Sequence, residues 1–124
     1  MIAAESERVV NDFCQSWERR NLDEIMAYFT EDAVYHNIPM PPAKGKDAIR
    51  NTISSFLPMA SAVQFKILKS LAAGNVVMNE RVDIFQMGGK RVELPVAGVF
   101  EVSGGKIAAW RDYFDLATWT KQMQ

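Results

Sequence analysis

The second half of the chain is a succession of four extended runs, centred on Phe65–Leu71, Val76–Gln86, Arg91–Val102 and Lys106–Asp115. Gly74-Asn75, Gly88-Gly89 and Gly104-Gly105 lie between them. Glycine-containing pairs between runs of alternating polarity are hairpin signals, and strands joined by such short turns can only pair antiparallel. A four-strand antiparallel meander has one face to bury, so the residues before it must supply the cover.

Those residues read mainly as helix. Ile2, Ser6, Val9, Val10, Phe13 and Trp17 fall on one stripe at the 3.6 period, with Glu5, Glu7, Arg8, Asp12, Gln15 and Glu18 mostly outside it. Asn21 followed by Glu24 predicts a fresh N-cap and a second short helix carrying Leu22, Ile25, Met26 and Phe29, ended by Thr30–Asp32. Ala33–Ile38 reads as a strand stopped by Pro39, Pro41 and Pro42. A third helix over roughly Gly45–Leu57 presents Ala48, Ile49, Ile53, Phe56 and Leu57, and Pro58 closes it. Helices first and strands last predict an α+β fold in one domain, residues 1–124. Its curved sheet packs on three N-terminal helices, with a pocket between the concave face and the helices.

Composition narrows the function. Charged residues make up 23% of the 124, the net charge is −1 and no Lys/Arg run occurs, so neither nucleic acid nor an anionic membrane is an expected partner. Acidic residues at Glu5, Glu7 and Asp12 interrupt the N-terminal stretch, and no apolar stretch approaches a membrane span, so a cytoplasmic protein is expected. The single Cys14 rules out an internal disulfide framework. The single His36 leaves no multi-histidine metal centre. Cys14, on or near the stripe of the first helix, reads as a small buried hydrophobe.

The chemistry lies in strand parity. Residues two apart share a face, so Val77, Asn79, Arg81, Asp83 and Phe85 point one way. If Val77 and Phe85 point inward, an arginine and an aspartate go in with them, and buried charges are costly unless paired. In the last strand Asp112 shares a face with Trp110 and Phe114. The Arg81 fork can bridge two carboxylates at once. Tyr35 and Asn37 share a face of the short strand, and His36 points away from them as a surface or interface residue. Two carboxylates with an arginine between them suit addition of water to a strained ring. One makes the water more basic, the other protonates the departing oxygen, and the pair titrates together. Trp17, Phe56, Phe65, Phe85, Leu94, Val96 and Phe114 are candidates for an apolar pocket wall, or equally for plain core packing.

Tyr35-His-Asn-Ile-Pro-Met-Pro-Pro42, Asn79-Glu-Arg-Val-Asp83 and Gly105-Lys-Ile-Ala-Ala-Trp-Arg-Asp-Tyr-Phe-Asp115 resemble, in matching order, segments of the limonene-1,2-epoxide hydrolase family. That family belongs to the nuclear transport factor 2-like, or SnoaL-like, superfamily of cone-shaped α+β folds. The resemblance implies hydrolysis of an epoxide to a diol in one concerted step, without a covalent ester. It implies Asp112 as the base on the water, Tyr35 and Asn37 as its positioning residues, Asp83 as the acid and Arg81 as the bridge. It also implies a homodimer. The expected partners are a small apolar epoxide, cyclic or terpenoid-like, and water, and the chemistry asks for no metal or organic cofactor.

Two other readings stay open on the residues. A ketosteroid isomerase-like or polyketide cyclase-like enzyme would use one carboxylate as base and a neutral donor on an enolate, a role that a bridging arginine disfavours. A non-catalytic binding or dimerisation domain would leave the polar set scattered or incomplete, and taken singly Arg81 and Asp83 also read as a solvated ion pair and Asp112 as a turn cap.

Overall fold

The computed structural model describes residues 2–124. Helix α1 (Ala3–Ser16) runs into a 3-10 turn at Trp17–Arg19 and is followed by α2 (Leu22–Met26), strand β1 (Phe29–Asn37) and the short β2 (Ala43–Lys44). Helix α3 (Lys46–Phe56) and a 3-10 turn at Leu57–Met59 lead into β3 (Ala60–Ala73), β4 (Val76–Met87), β5 (Lys90–Ser103) and β6 (Lys106–Tyr113), and α4 (Leu116–Met123) follows.

The expected meander forms, in the order β3, β4, β5, β6 across the sheet, with every neighbour antiparallel. At the β5–β6 hairpin both Gly104 and Gly105 take positive φ (58° and 80°), the requirement of a two-residue turn that follows the strand twist. Strand β1 adds parallel to β6, and β2 adds antiparallel to β1, giving a mixed six-stranded sheet. Register shifts at Ala60/Ala62, Ile67/Lys69 and Glu101/Val102 mark bulges, which bend a strand and tighten its twist. The sheet curls, and α1, α2 and α3 fill its concave side.

Phe13 of α1 sits at the centre of that filling, fully buried, edge-on to Trp110 at 4.9 Å and to Phe29 at 5.3 Å. Each such pair adds roughly 0.5–1.5 kcal/mol beyond the area it buries. Trp17 stacks on Phe65 at 4.9 Å and ties the end of α1 to β3. Asn21 caps α2 by accepting the Glu24 amide at 3.0 Å, as its sequence signature predicts.

Four boundaries differ from the sequence expectation. Thr30–Asp32 do not end α2 but lie within β1, which starts at Phe29. Phe29 pairs with Ile107 and is buried, and a register irregularity before Val34 lets the polar residues between them stay at the surface. Pro58 does not close α3 directly; it sits at the start of the 3-10 turn that follows, where its missing N–H costs nothing. The chain does not end on strands, because α4 follows β6. Its signal was present: Asp115 accepts from the Ala117 amide at 3.1 Å and from Thr118 Oγ1 at 3.0 Å, ahead of an apolar stripe of Leu116, Trp119 and Met123. The two-residue β2 had none.

Candidate active site

The inward face of β4 is buried from end to end: Val77, Asn79, Arg81, Asp83 and Phe85. Met78 and Glu80 on the other face are exposed, and Val82 and Ile84 are half-buried. The parity that places a charged pair among apolar residues is therefore realised, and the guanidinium of Arg81 is 0% exposed. Every one of its N–H groups has an acceptor. Nε and Nη2 donate to the two oxygens of Asp83 at 2.9 and 2.8 Å. Nη2 and Nη1 donate to the two oxygens of Asp112 at 2.8 and 3.2 Å, and Nη1 also donates to Asn79 Oδ1 at 3.0 Å. The Phe65 ring lies 5.0 Å from the guanidinium carbon. Burial works against charge on Arg81, but Asp112 and Asp83 outweigh it and hold the guanidinium well above its usual range.

The two carboxylates differ in their surroundings. Asp112 accepts a third hydrogen bond, from Trp110 Nε1 at 2.6 Å. Among the described residues, Asp83 has only Arg81 as donor. Burial pushes the Asp83 carboxyl up, Arg81 pulls it down through charge and hydrogen bonds, and Asp112 pushes it up again; the outcome is about 6.

The parallel pairing of β1 with β6 puts Tyr35 beside Trp110 and Asn37 beside Asp112. Tyr35 stacks on Trp110 with centroids 4.1 Å apart and planes 11° apart, and its hydroxyl donates to Asn37 Oδ1 at 3.2 Å. Burial, first of all, raises the Tyr35 phenol far above its usual range, so the hydroxyl keeps its proton.

These groups open onto one cavity of about 290 Å³. Asp83, Asp112, Tyr35 and Asn37 line it, and so do all seven aromatic and aliphatic residues singled out from the sequence: Trp17, Phe56, Phe65, Phe85, Leu94, Val96 and Phe114. Arg81 does not line the cavity; it lies behind the carboxylates. Met40, from the proline segment 39–42, lines the cavity too; sequence reasoning missed Thr52 and Ile53, and it missed Leu116 and Trp119 because it missed α4. The Trp119 ring meets Phe85 at 5.7 Å and Phe56 at 6.1 Å and so closes one side of the wall. Asn79 and Trp110 were each placed on the right face, but their bonds to Arg81 and Asp112 are visible only in three dimensions. His36 lies outside the cavity wall, its Nε2 2.8 Å from the Met40 carbonyl. Cys14 is fully buried, and burial pushes its thiol up to about 12, which makes it a core residue and not a nucleophile. Among the described residues, no three His, Cys, Asp or Glu side chains come together as a metal-ligand set.

The model of the limonene-1,2-epoxide hydrolase catalytic domain matches residues 4–124. The chain belongs to the limonene-1,2-epoxide hydrolase family. Consistent with that membership, it is 36% identical over 109 residues to the epoxide hydrolase EphG of Mycobacterium tuberculosis (strain ATCC 25618 / H37Rv), covering 86% of this chain and 71% of that protein. A solved LEH-like epoxide hydrolase from M. tuberculosis superposes with a TM-score of 0.81 at 34% identity, over 97% of this chain and 90% of that one. The fold extends beyond the family: a putative polyketide cyclase from Xanthomonas campestris pv. campestris superposes with a TM-score of 0.87 at 20% identity, over 98% of both chains. The cone-shaped α+β architecture is that of the nuclear transport factor 2-like, or SnoaL-like, superfamily. No helix among the described residues is long and apolar enough to cross a membrane.

Proposed function

We propose that this protein is an epoxide hydrolase that adds water to an apolar epoxide in one general acid–base step. The observation that carries the reading is the inequality of two carboxylates held by one buried guanidinium at the wall of an apolar cavity. Asp112 accepts three N–H hydrogen bonds, which fix its carboxyl group at the cavity wall, and it acts as base on the water. Asp83, pushed up to about 6, supplies the proton to the epoxide oxygen. Asn37, in register with Asp112, and Tyr35, whose hydroxyl donates to Asn37, hold the water against Asp112. Arg81 fixes the distance between acid and base. The wall of Trp17, Phe56, Phe65, Phe85, Leu94, Val96 and Phe114 excludes competing water and favours cyclic or terpenoid-like epoxides over polar ones. A strained ring lowers the barrier enough for acid and base terms of about 10²–10⁴ each to suffice.

The test is diol formation from cyclohexene oxide, styrene oxide and a monoterpene epoxide without added metal, with a single turnover run in ¹⁸O-labelled water. One labelled oxygen in the diol of the first turnover, and none in the protein, is the expected result. Label absent from that first diol would mean that an enzyme carboxylate attacks the ring, which would overturn the one-step mechanism.

The acid role carries a pH prediction. Turnover needs Asp83 protonated, so kcat/KM is expected to fall as pH rises through about 6. A profile flat from about pH 5 to 8 would remove Asp83 as the acid. The stability sign runs the same way. The folded value of about 6 lies above the ordinary 3.8, so this group's favourable contribution is full below about 4 and is lost as pH rises through about 6.

A homodimer belongs to the same reading. The convex face exposes Leu71, Met78 and Tyr113, with Val82 and Val99 half-buried beside them, and a second copy laid on that face would cover them. Sedimentation equilibrium is expected to give twice the chain mass; a monomer at micromolar concentration would reject the pairing.

A further inference from the structure

We propose that Gly98 is a positioning residue of this site: the side chain it lacks is the space through which Arg81 reaches Asp112. The structural claim stands on the packing alone, and its catalytic consequence rests on the hydrolase reading above.

Strand β5 lies between β4, which carries Arg81, and β6, which carries Asp112. Two strand spacings amount to roughly 10 Å, so the Arg81 side chain must cross over β5 to bridge the carboxylates. The inward face of β5 is Val92, Leu94, Val96, Gly98, Phe100 and Val102, all buried. Glycine is the one break in that apolar row, and it falls in register between Asn79 on one side and Asp112 on the other. A glycine inside a strand weakens it unless a bulge, a bend or a close approach needs it. Gly98 is not among the glycines with positive φ, and its pairing with both neighbours is regular, so close approach is the remaining reason.

The approach is tight. A Cβ at position 98 would stand 2.4 Å from Arg81 Nη1, 2.9 Å from Asn79 Oδ1 and 3.0 Å from Asp112 Oδ1. Those three atoms are the donor and the two acceptors of the Nη1 hydrogen bonds. None is a free side-chain end that can swing aside, since the guanidinium is fully buried and engaged on every N–H. The other glycines, Gly45, Gly74, Gly88, Gly89, Gly104 and Gly105, have nothing within 4 Å of the same position. Any side chain at 98 lifts the guanidinium off β5 and breaks its contact with Asp112, which detaches the acid from the base without removing either.

Gly98→Ala is compared with Gly89→Ala, each in the wild-type and in the Arg81→Lys background; lysine keeps a charge but has no Nη1. In the wild-type background Gly98→Ala is expected to lower Tm by roughly 5–15 °C, as overpacking does, and the loss is expected to shrink to less than about half in the Arg81→Lys background. Displacement of a catalytic group by about 1 Å costs on the order of 100-fold, so kcat is expected to fall about that far with KM within about threefold. The alkaline limb of kcat/KM is expected to move up, because the Asp112 charge, no longer neutralised by the guanidinium, pushes the Asp83 carboxyl further up, and a merely structural defect would not move it. Gly89→Ala is expected to change none of these. If Gly98→Ala does not fold, the double variant decides: folding in the Arg81→Lys background supports the contact, and equal failure there overturns it. Equal Tm losses in both backgrounds, or wild-type kcat in Gly98→Ala, would also overturn it. If the wild-type protein opens no epoxide, the hydrolase reading fails, while the Tm comparison still decides the contact between Gly98 and Arg81.

Discussion

Asp112→Asn is expected to lower kcat by about 10²–10⁴-fold while leaving the protein folded. The amide is nearly the same size, so the cavity keeps its shape, but an amide nitrogen cannot take a proton from water. It also cannot accept a hydrogen bond. One side of the new side chain must face Trp110 Nε1 or an Arg81 N–H donor-to-donor. Arg81 keeps its two bonds to Asp83, so the guanidinium is not stranded, and the fold survives the change. Epoxide turnover with the circular dichroism spectrum as control checks this. A variant that kept more than about a tenth of the wild-type rate would show that Asp112 is not the base.

Arg81→Met is expected to act on stability as much as on activity. It leaves Asp83 and Asp112 buried together without their cation, and removing one partner of a buried ionic set costs about 3–5 kcal/mol at pH 7. The sign with pH is definite for Asp83. Without Arg81 nothing pulls its carboxyl down, so its folded value rises further above the ordinary one, and stability is regained as pH is lowered from 7 toward 5. Urea melts at the two pH values measure both parts. The companion variant, Arg81→Met with Asp83→Leu and Asp112→Leu, is expected to regain much of the lost stability, since replacing a whole buried ionic set by apolar residues is often neutral or better. It is expected to be inactive. Equal stability of Arg81→Met and the wild type at pH 7 would mean that the three groups are not coupled in the fold.

The contrast between these two variants separates what the ionic set does for the fold from what it does for the chemistry. Buried polar networks are costly to make and costly to break. Here the network is satisfied throughout: each Arg81 N–H has an acceptor, and Asp112 has the Trp110 indole besides. Such a set gives no stability that leucines could not supply. It does give a carboxyl near 6 and a second carboxylate at a fixed separation, opening onto the same apolar cavity.

Much of this was legible before any coordinates. Alternation along a strand is a consequence of covalent geometry, so Val77 and Phe85 seeking the core were bound to carry Asn79, Arg81 and Asp83 inward with them. The glycine-containing pairs marked the hairpins for the same local reason, the 3.6 period marked α1, and the Asn21–Glu24 cap marked the start of α2 though not its end. The seven wall candidates all line the cavity, whereas Val92, Phe100 and Trp110, equally apolar and inward-facing, pack into the core, so strand parity gives the inward side and not the cavity itself.

What the sequence could not determine by itself is whatever depends on how elements distant in the chain meet. That β1 lies parallel to β6 and not at another edge is decided by the packing of the whole sheet, and it alone sets Asn37 beside Asp112. That Asn79, Gly98 and Asp112 fall in one row depends on two strand registers at once, and only that row shows why a glycine stands there. Trp119 reaches the cavity because α4 folds back over the end of β5, where the Gln122 amide takes both backbone groups of Glu93 at 2.8 Å. Periodicity is local and can be read along the chain; register and docking are sums over contacts between remote residues, and they are settled only when the tertiary structure forms.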